Sequence, residues 1–76
     1  MELEKFIEQF ADQFDDPTIM KLTHDTRFRD LDEWSSLVAL SVIAMIDEEY
    51  DVTIKGDDMK AANTIGELFN IVKSKL

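Results

Sequence analysis

Few side chains in this sequence suit covalent chemistry. There is no cysteine, and His24 is the single histidine. The adjacent pair Ser35 and Ser36 stands out by its setting. It follows Phe28-Arg29-Asp30-Leu31-Asp32-Glu33-Trp34 and directly precedes an apolar run that starts at Leu37. A serine at such a boundary caps free backbone N–H groups or presents an exposed hydroxyl in the first helical turn. A phosphodiester on that hydroxyl would sit at the positive end of the helix dipole, near free N–H donors. Asp32 and Glu33 oppose this by repulsion, so the place is not a strong anion trap by itself. Most serines at helix starts are only caps, so the pair alone is a weak signal. Hydrolytic chemistry is not indicated. A Ser36–His24 pair would need an orienting acid and an oxyanion hole, and nothing marks either; His24 reads as a loop residue. Asp47, Glu49, Asp51 and Asp58 are loosely spaced like a calcium loop. Val52 stands where the turn glycine is required, and the first of these acids fall within a helix, so no metal site is expected.

The elements that must position the serines follow from periodicity. Leu3, Phe6, Ile7, Phe10, Ala11 and Phe14 mark one face of a helix over 2–14, with Glu2, Glu4, Glu8, Asp12 and Gln13 opposite. Asp15-Asp16-Pro17 is a stop, because the residue before proline disfavours helix geometry. Residues 18–33 form a long loop, with Leu22, Phe28 and Leu31 pinning it to the core. Trp34 is expected to anchor the end of that loop, partly buried. The clearest helix runs over 36–50, capped by Ser35 or Ser36. Val42, Ile43, Ile46 and Tyr50 suit its core face. Lys55-Gly56-Asp57 is a break, after which Asp57 is expected to cap a short helical piece through Met59 and Ala62. Thr64-Ile65-Gly66-Glu67 has the form of a capping box. It opens a last helix to about Lys75 with Ile65, Leu68, Phe69 and Val72 inward. Lys73 and Lys75 lie at its C-terminal end, where positive charge is favourable. Val52-Thr53-Ile54 is too short to start a sheet. The expected fold is therefore all-α, a small four-helix bundle of three longer helices and one short one. A single domain spans 1–76.

Composition narrows the partners. The chain has 76 residues with 17 acidic and 8 basic side chains, a formal charge of -9. That surface repels nucleic acid and anionic lipid and attracts proteins with basic patches. No stretch approaches the roughly 20 apolar residues of a membrane span, and no signal peptide is visible. The lack of cysteine suits a reducing cytoplasm. It also leaves stability to helix packing alone, with neither disulfide nor zinc to help.

The order of these elements resembles the acyl carrier protein family over nearly the full length. The matching pieces are Leu22-Thr23, Phe28 with Leu31, and Ser36-Leu37. They continue with Asp47-Glu48-Glu49-Tyr50, Asp51-Val52-Thr53-Ile54 and Thr64-Ile65-Gly66-Glu67-Leu68. The resemblance implies that Ser36 receives 4′-phosphopantetheine from coenzyme A through a magnesium-dependent phosphopantetheinyl transferase, with Ser35 the alternative attachment residue. It implies a monomeric cytoplasmic carrier rather than an enzyme. The thiol of its arm would bear acyl groups as thioesters for fatty acid, polyketide or related biosynthetic enzymes. A chain without cysteine would thus import its only thiol.

Two features depart from the family pattern. Ser35 stands where the family most often has Asp, and Val38, Ala39 and Ser41 occupy places where acids are common. Leu37, Leu40 and Ala44 lie at helical spacing away from the Val42/Ile43/Ile46 stripe, flanked by Val38, Ser41 and Met45. An apolar partner surface is expected there, with Asp47 and Glu48 as its acidic continuation. The reading from a different class is an unmodified acidic helical adaptor, in which the same apolar patch binds a protein and Ser36 is only a cap.

Overall fold

The computed structural model describes residues 3–14 and 22–76. Its elements are α1 (Leu3–Ala11), a 3-10 turn (Phe28–Asp30), α2 (Ser36–Tyr50), α3 (Gly56–Ala61) and α4 (Ile65–Ser74). Among the described residues there is no strand. Among the described residues the all-α, four-helix expectation holds, with three longer helices and one short. The break expected at Asp15-Asp16-Pro17 lies outside the described residues.

The α1 periodicity does what its spacing dictates. Phe6 and Phe10 are fully buried, and Phe14 is nearly so. Past Ala11 the helix tightens, with Gln13 N donating to Phe10 O at 3.1 Å and Phe14 N to Ala11 O at 3.0 Å. These three rings begin an aromatic core. Phe6 lies 5.4 Å from Phe69 of α4. Phe10 lies 5.6 Å from Phe28 and stacks on Trp34 at 6.0 Å with planes 2° apart. Each such pair contributes about 0.5–1.5 kcal/mol beyond its area burial. That supplement matters in a short chain with no cross-links. Trp34, half-buried between Phe10 and Phe28, anchors the end of the long loop. Phe28 is fully buried and Leu22 and Leu31 half-buried, so the three apolar residues of the loop do pin it to the core.

The loop is also held through its backbone. The first N–H groups of a helix lack partners within it. At the start of α4, Ile65 N donates to Thr26 O at 3.1 Å and Gly66 N to His24 O at 2.9 Å. Glu67 N donates to Thr64 Oγ1 at 3.1 Å. Glu67 Oε1 accepts in return from Thr64 N at 3.2 Å, completing the expected capping box. Leu68 N reaches Thr64 O at 3.0 Å. All four orphan donors of α4 are thereby satisfied, two of them by the loop. Ile65, Leu68, Phe69 and Val72 are buried as their spacing requires.

Two expectations need correction. Asp57 does not cap α3. The helix begins at Gly56 with Lys55 in the capping position, and Asp58 accepts from Lys55 N at 3.0 Å. A carboxylate in the third helical position reaches back to the preceding amide; Asp57, one residue nearer, is exposed. Met45 does not flank the exposed apolar face of α2. It is buried with Val42 and Ile46, because positions 38, 42 and 45 follow one helical face inward.

Candidate functional site

The start of α2 is built by Ser35. Its backbone is extended, and its Oγ accepts from Val38 N at 3.3 Å. Its carbonyl accepts from Ala39 N at 2.9 Å. Ser36 is the first helical residue, and both serines are exposed. The two hydroxyls therefore differ in employment. The Ser35 oxygen is engaged in the cap, whereas Ser36 Oγ makes no hydrogen bond to any described residue. The amides of Ser36 and Leu37 likewise have no acceptor among the described residues. This is the reverse of α4, where the loop and the capping box take up every free donor. The opening of α2 thus offers an accessible hydroxyl beside uncommitted N–H groups at the positive end of a 15-residue helix. That arrangement suits a phosphodiester, which the exposed carboxylates of Asp32 and Glu33 oppose.

The remaining residues picked out from sequence fall on one face of α2. Leu37 is 77% exposed and Leu40 62% exposed. Ala44, Asp47 and Glu48 are exposed as well. Their spacing carries the face from apolar near the serines to acidic at the far end. The inward side holds Val42, Met45 and Ile46, with Val38, Ala39 and Ile43 half-buried. At the end of α2, burial and then the Glu49 charge raise the pKa of Tyr50 above 10.0. Its hydroxyl donates to Gln9 Oε1 of α1.

His24 is drawn into structure rather than catalysis. Its carbonyl serves α4, and its Nδ1 lies 3.1 Å from Asp25 in an exposed pair. It lines a shallow cleft of about 410 Å³ with Leu3, Thr64, Glu67, Phe69 and Asn70, and neither serine is part of that cleft. Sequence reasoning passed over Arg29, which the structure shows bonded to the far end of α3. Nothing in the local sequence announces a partner some thirty residues away.

A small helical bundle with an exposed serine hydroxyl at a helix start is a form suited to holding a covalently attached group. The family model for the phosphopantetheine attachment site matches residues 4–72, and the chain belongs to that family. No curated protein and no solved structure matches it. The family carries covalently attached 4′-phosphopantetheine, so this is a phosphopantetheine-carrying carrier protein. Carrier domains of this kind work with a transferase and with biosynthetic enzymes in general. No helix among the described residues is long and apolar enough to cross a membrane.

Proposed function

We infer that this chain is an acyl carrier, one domain over 1–76, in which Ser36 holds the arm. The observation that carries the assignment is the division of labour between the serines. Ser35 Oγ closes the helix start, while the exposed Ser36 hydroxyl is bonded to no described residue. In the loading step the Ser36 hydroxyl loses its proton and its oxygen bonds the phosphorus of the pantetheine phosphate. The nucleotide half of coenzyme A leaves. The Ser36 and Leu37 amides, which have no acceptor among the described residues, would be available to a phosphodiester held there. When bound, the arm supplies the thiol on which acyl groups ride as thioesters. The protein contributes presentation: tethering raises the local concentration of cargo at each partner active site. It is a carrier and not an enzyme, working in the cytoplasm as a monomer for fatty acid, polyketide or related pathways.

Leu37, Leu40 and Ala44 support docking on apolar surface, and Asp47 and Glu48 on basic surface. The exposure of both leucines also favours a second reading, an adaptor that binds a protein through this face with no arm at all. Intact mass after incubation with coenzyme A, magnesium and a broad-specificity transferase separates them. The wild type and Ser35→Ala are expected to gain the arm, and Ser36→Ala is not. A wild type that never gains it leaves the adaptor reading. Gain by Ser36→Ala with loss in Ser35→Ala moves the site to Ser35.

A further inference from the structure

Arg29 sits in the 3-10 turn, between the buried Phe28 and the approach to α2. Its guanidinium reaches across the molecule. Nη1 donates to Met59 O at 2.8 Å and to Lys60 O at 3.3 Å. Nη2 donates to Asn63 Oδ1 at 2.6 Å. The first two acceptors are carbonyls in the last turn of α3, where a helix leaves C=O groups unpaired and where positive charge is favoured. In a chain rich in acids, this cation is thus directed at neutral acceptors. The rigid guanidinium fork is pre-organised to serve the carbonyls from one nitrogen and the side-chain amide from the other.

The other side of Arg29 leads toward the serines. Its Cζ lies 5.6 Å from the centre of the Phe28 ring. That ring lies 4.9 Å from Trp34, and Trp34 N donates to Leu31 O at 3.0 Å. Trp34 immediately precedes Ser35, whose backbone and hydroxyl set the first turn of α2. The segment from Leu31 to Ser35 has no regular structure to fix it. Its placement rests on Trp34, held against Phe10, Phe14 and Phe28, and on Leu31 packed on the core, with the Arg29 clamp behind Phe28.

We propose that Arg29 is a positioning residue. By clamping the C-terminal end of α3 to the turn that carries Phe28, it holds in place the start of α2, where the transferase must meet Ser36. The part that concerns loading rests on the assignment of the arm to Ser36. Arg29 touches neither the hydroxyl nor any reacting atom, so its loss affects how the carrier is recognised and not the chemical step.

The test is transferase kinetics on the full chain, varying carrier concentration at saturating coenzyme A. Arg29→Ala is expected to raise KM for the carrier about fivefold with kcat within about twofold of wild type. Arg29→Lys keeps the charge but not the fork, and is expected to stay close to Arg29→Ala. Unchanged KM in Arg29→Ala, or a loss confined to kcat, overturns the proposal. If Arg29→Ala does not fold, Asn63→Ala replaces it, since it removes one acceptor and leaves both carbonyl contacts. A KM raised about twofold supports the clamp, and an unchanged KM rejects it. Amide exchange without any arm keeps the two readings apart. Arg29→Ala should speed exchange at Val38 and Ala39 while leaving Phe10 unchanged. Unaltered exchange at the start of α2 rejects the coupling even if wild type is never loaded. Failure of wild type to load, with the exchange response present, rejects the Ser36 assignment and retains the clamp.

Discussion

The amide of Gly66 donates to the carbonyl of His24 at 2.9 Å, and the two backbones lie so close that a side chain at 66 would be crowded. A Cβ on Gly66 would meet His24 O at 3.0 Å and His24 Cβ at 3.2 Å. This contact joins the long loop to α4 and satisfies one of the helix's free donors. Replacing glycine within a helix normally gains up to about 1 kcal/mol. Here the position is in the first turn and the neighbour is backbone, so crowding, at about 1–3 kcal/mol, outweighs propensity. Gly66→Ala is expected to destabilise the fold by about 1 kcal/mol, lowering Tm by about 4–8 °C. Thermal unfolding followed by circular dichroism checks this; a higher Tm would mean the loop yields freely.

Leu37 and Leu40 project from the face of α2 beside the serines, at 77% and 62% exposure. Substitution at such positions changes stability by about 0.5 kcal/mol or less. Leu37→Glu and Leu40→Glu should therefore unfold like wild type in urea while slowing arm transfer or weakening binding to partner enzymes. Loss of folding in both variants would place these leucines in the core instead.

The C-terminal end of α2 carries its acids at the wrong pole. Asp47, Glu48 and Glu49 fall where the helix dipole is negative. Asp51 follows in the left-handed region at φ 56°. Asp51→Gly removes both the steric cost and one repulsive charge. A gain of about 1 kcal/mol in urea unfolding is expected, most of it conformational. Moderate salt should raise the stability of wild type by screening the acids, and by less in Asp51→Gly. A Tm independent of salt would contradict the electrostatic part.

Tyr50 links stability to alkaline pH. Its folded pKa is raised from 10.0, first by burial and then by Glu49. The neutral phenol is thus favoured by folding, and its contribution is complete below pH 10.0. As pH rises through that value the unfolded chain ionises first, and stability falls until the folded phenol ionises too. Tyr50 is the sole tyrosine, so its ionisation can be followed directly by ultraviolet absorbance. Tyr50→Phe should flatten the alkaline fall in stability relative to wild type. An equal fall in both proteins would assign it to other groups.

The four helices, the pinned loop and the serine pair were legible in the sequence because each is written within a turn or two of chain. Apolar residues at helical spacing gave α1, α2 and α4 their faces, and Thr64 with Glu67 marked the α4 cap three residues apart. The same local reading placed the cap of α3 on Asp57 and Met45 on the exposed side of α2. Neighbouring positions compete there, and small rotations decide between them. Only the structure settled that Ser35 caps while Ser36 Oγ meets no described partner, since both serines satisfy the same local rule. Only it closed the α4 donors with carbonyls of His24 and Thr26, and brought Arg29 to Met59 across a separation of 30 residues. Such pairings depend on how the helices pack, and packing is a property of the whole chain that no short window contains.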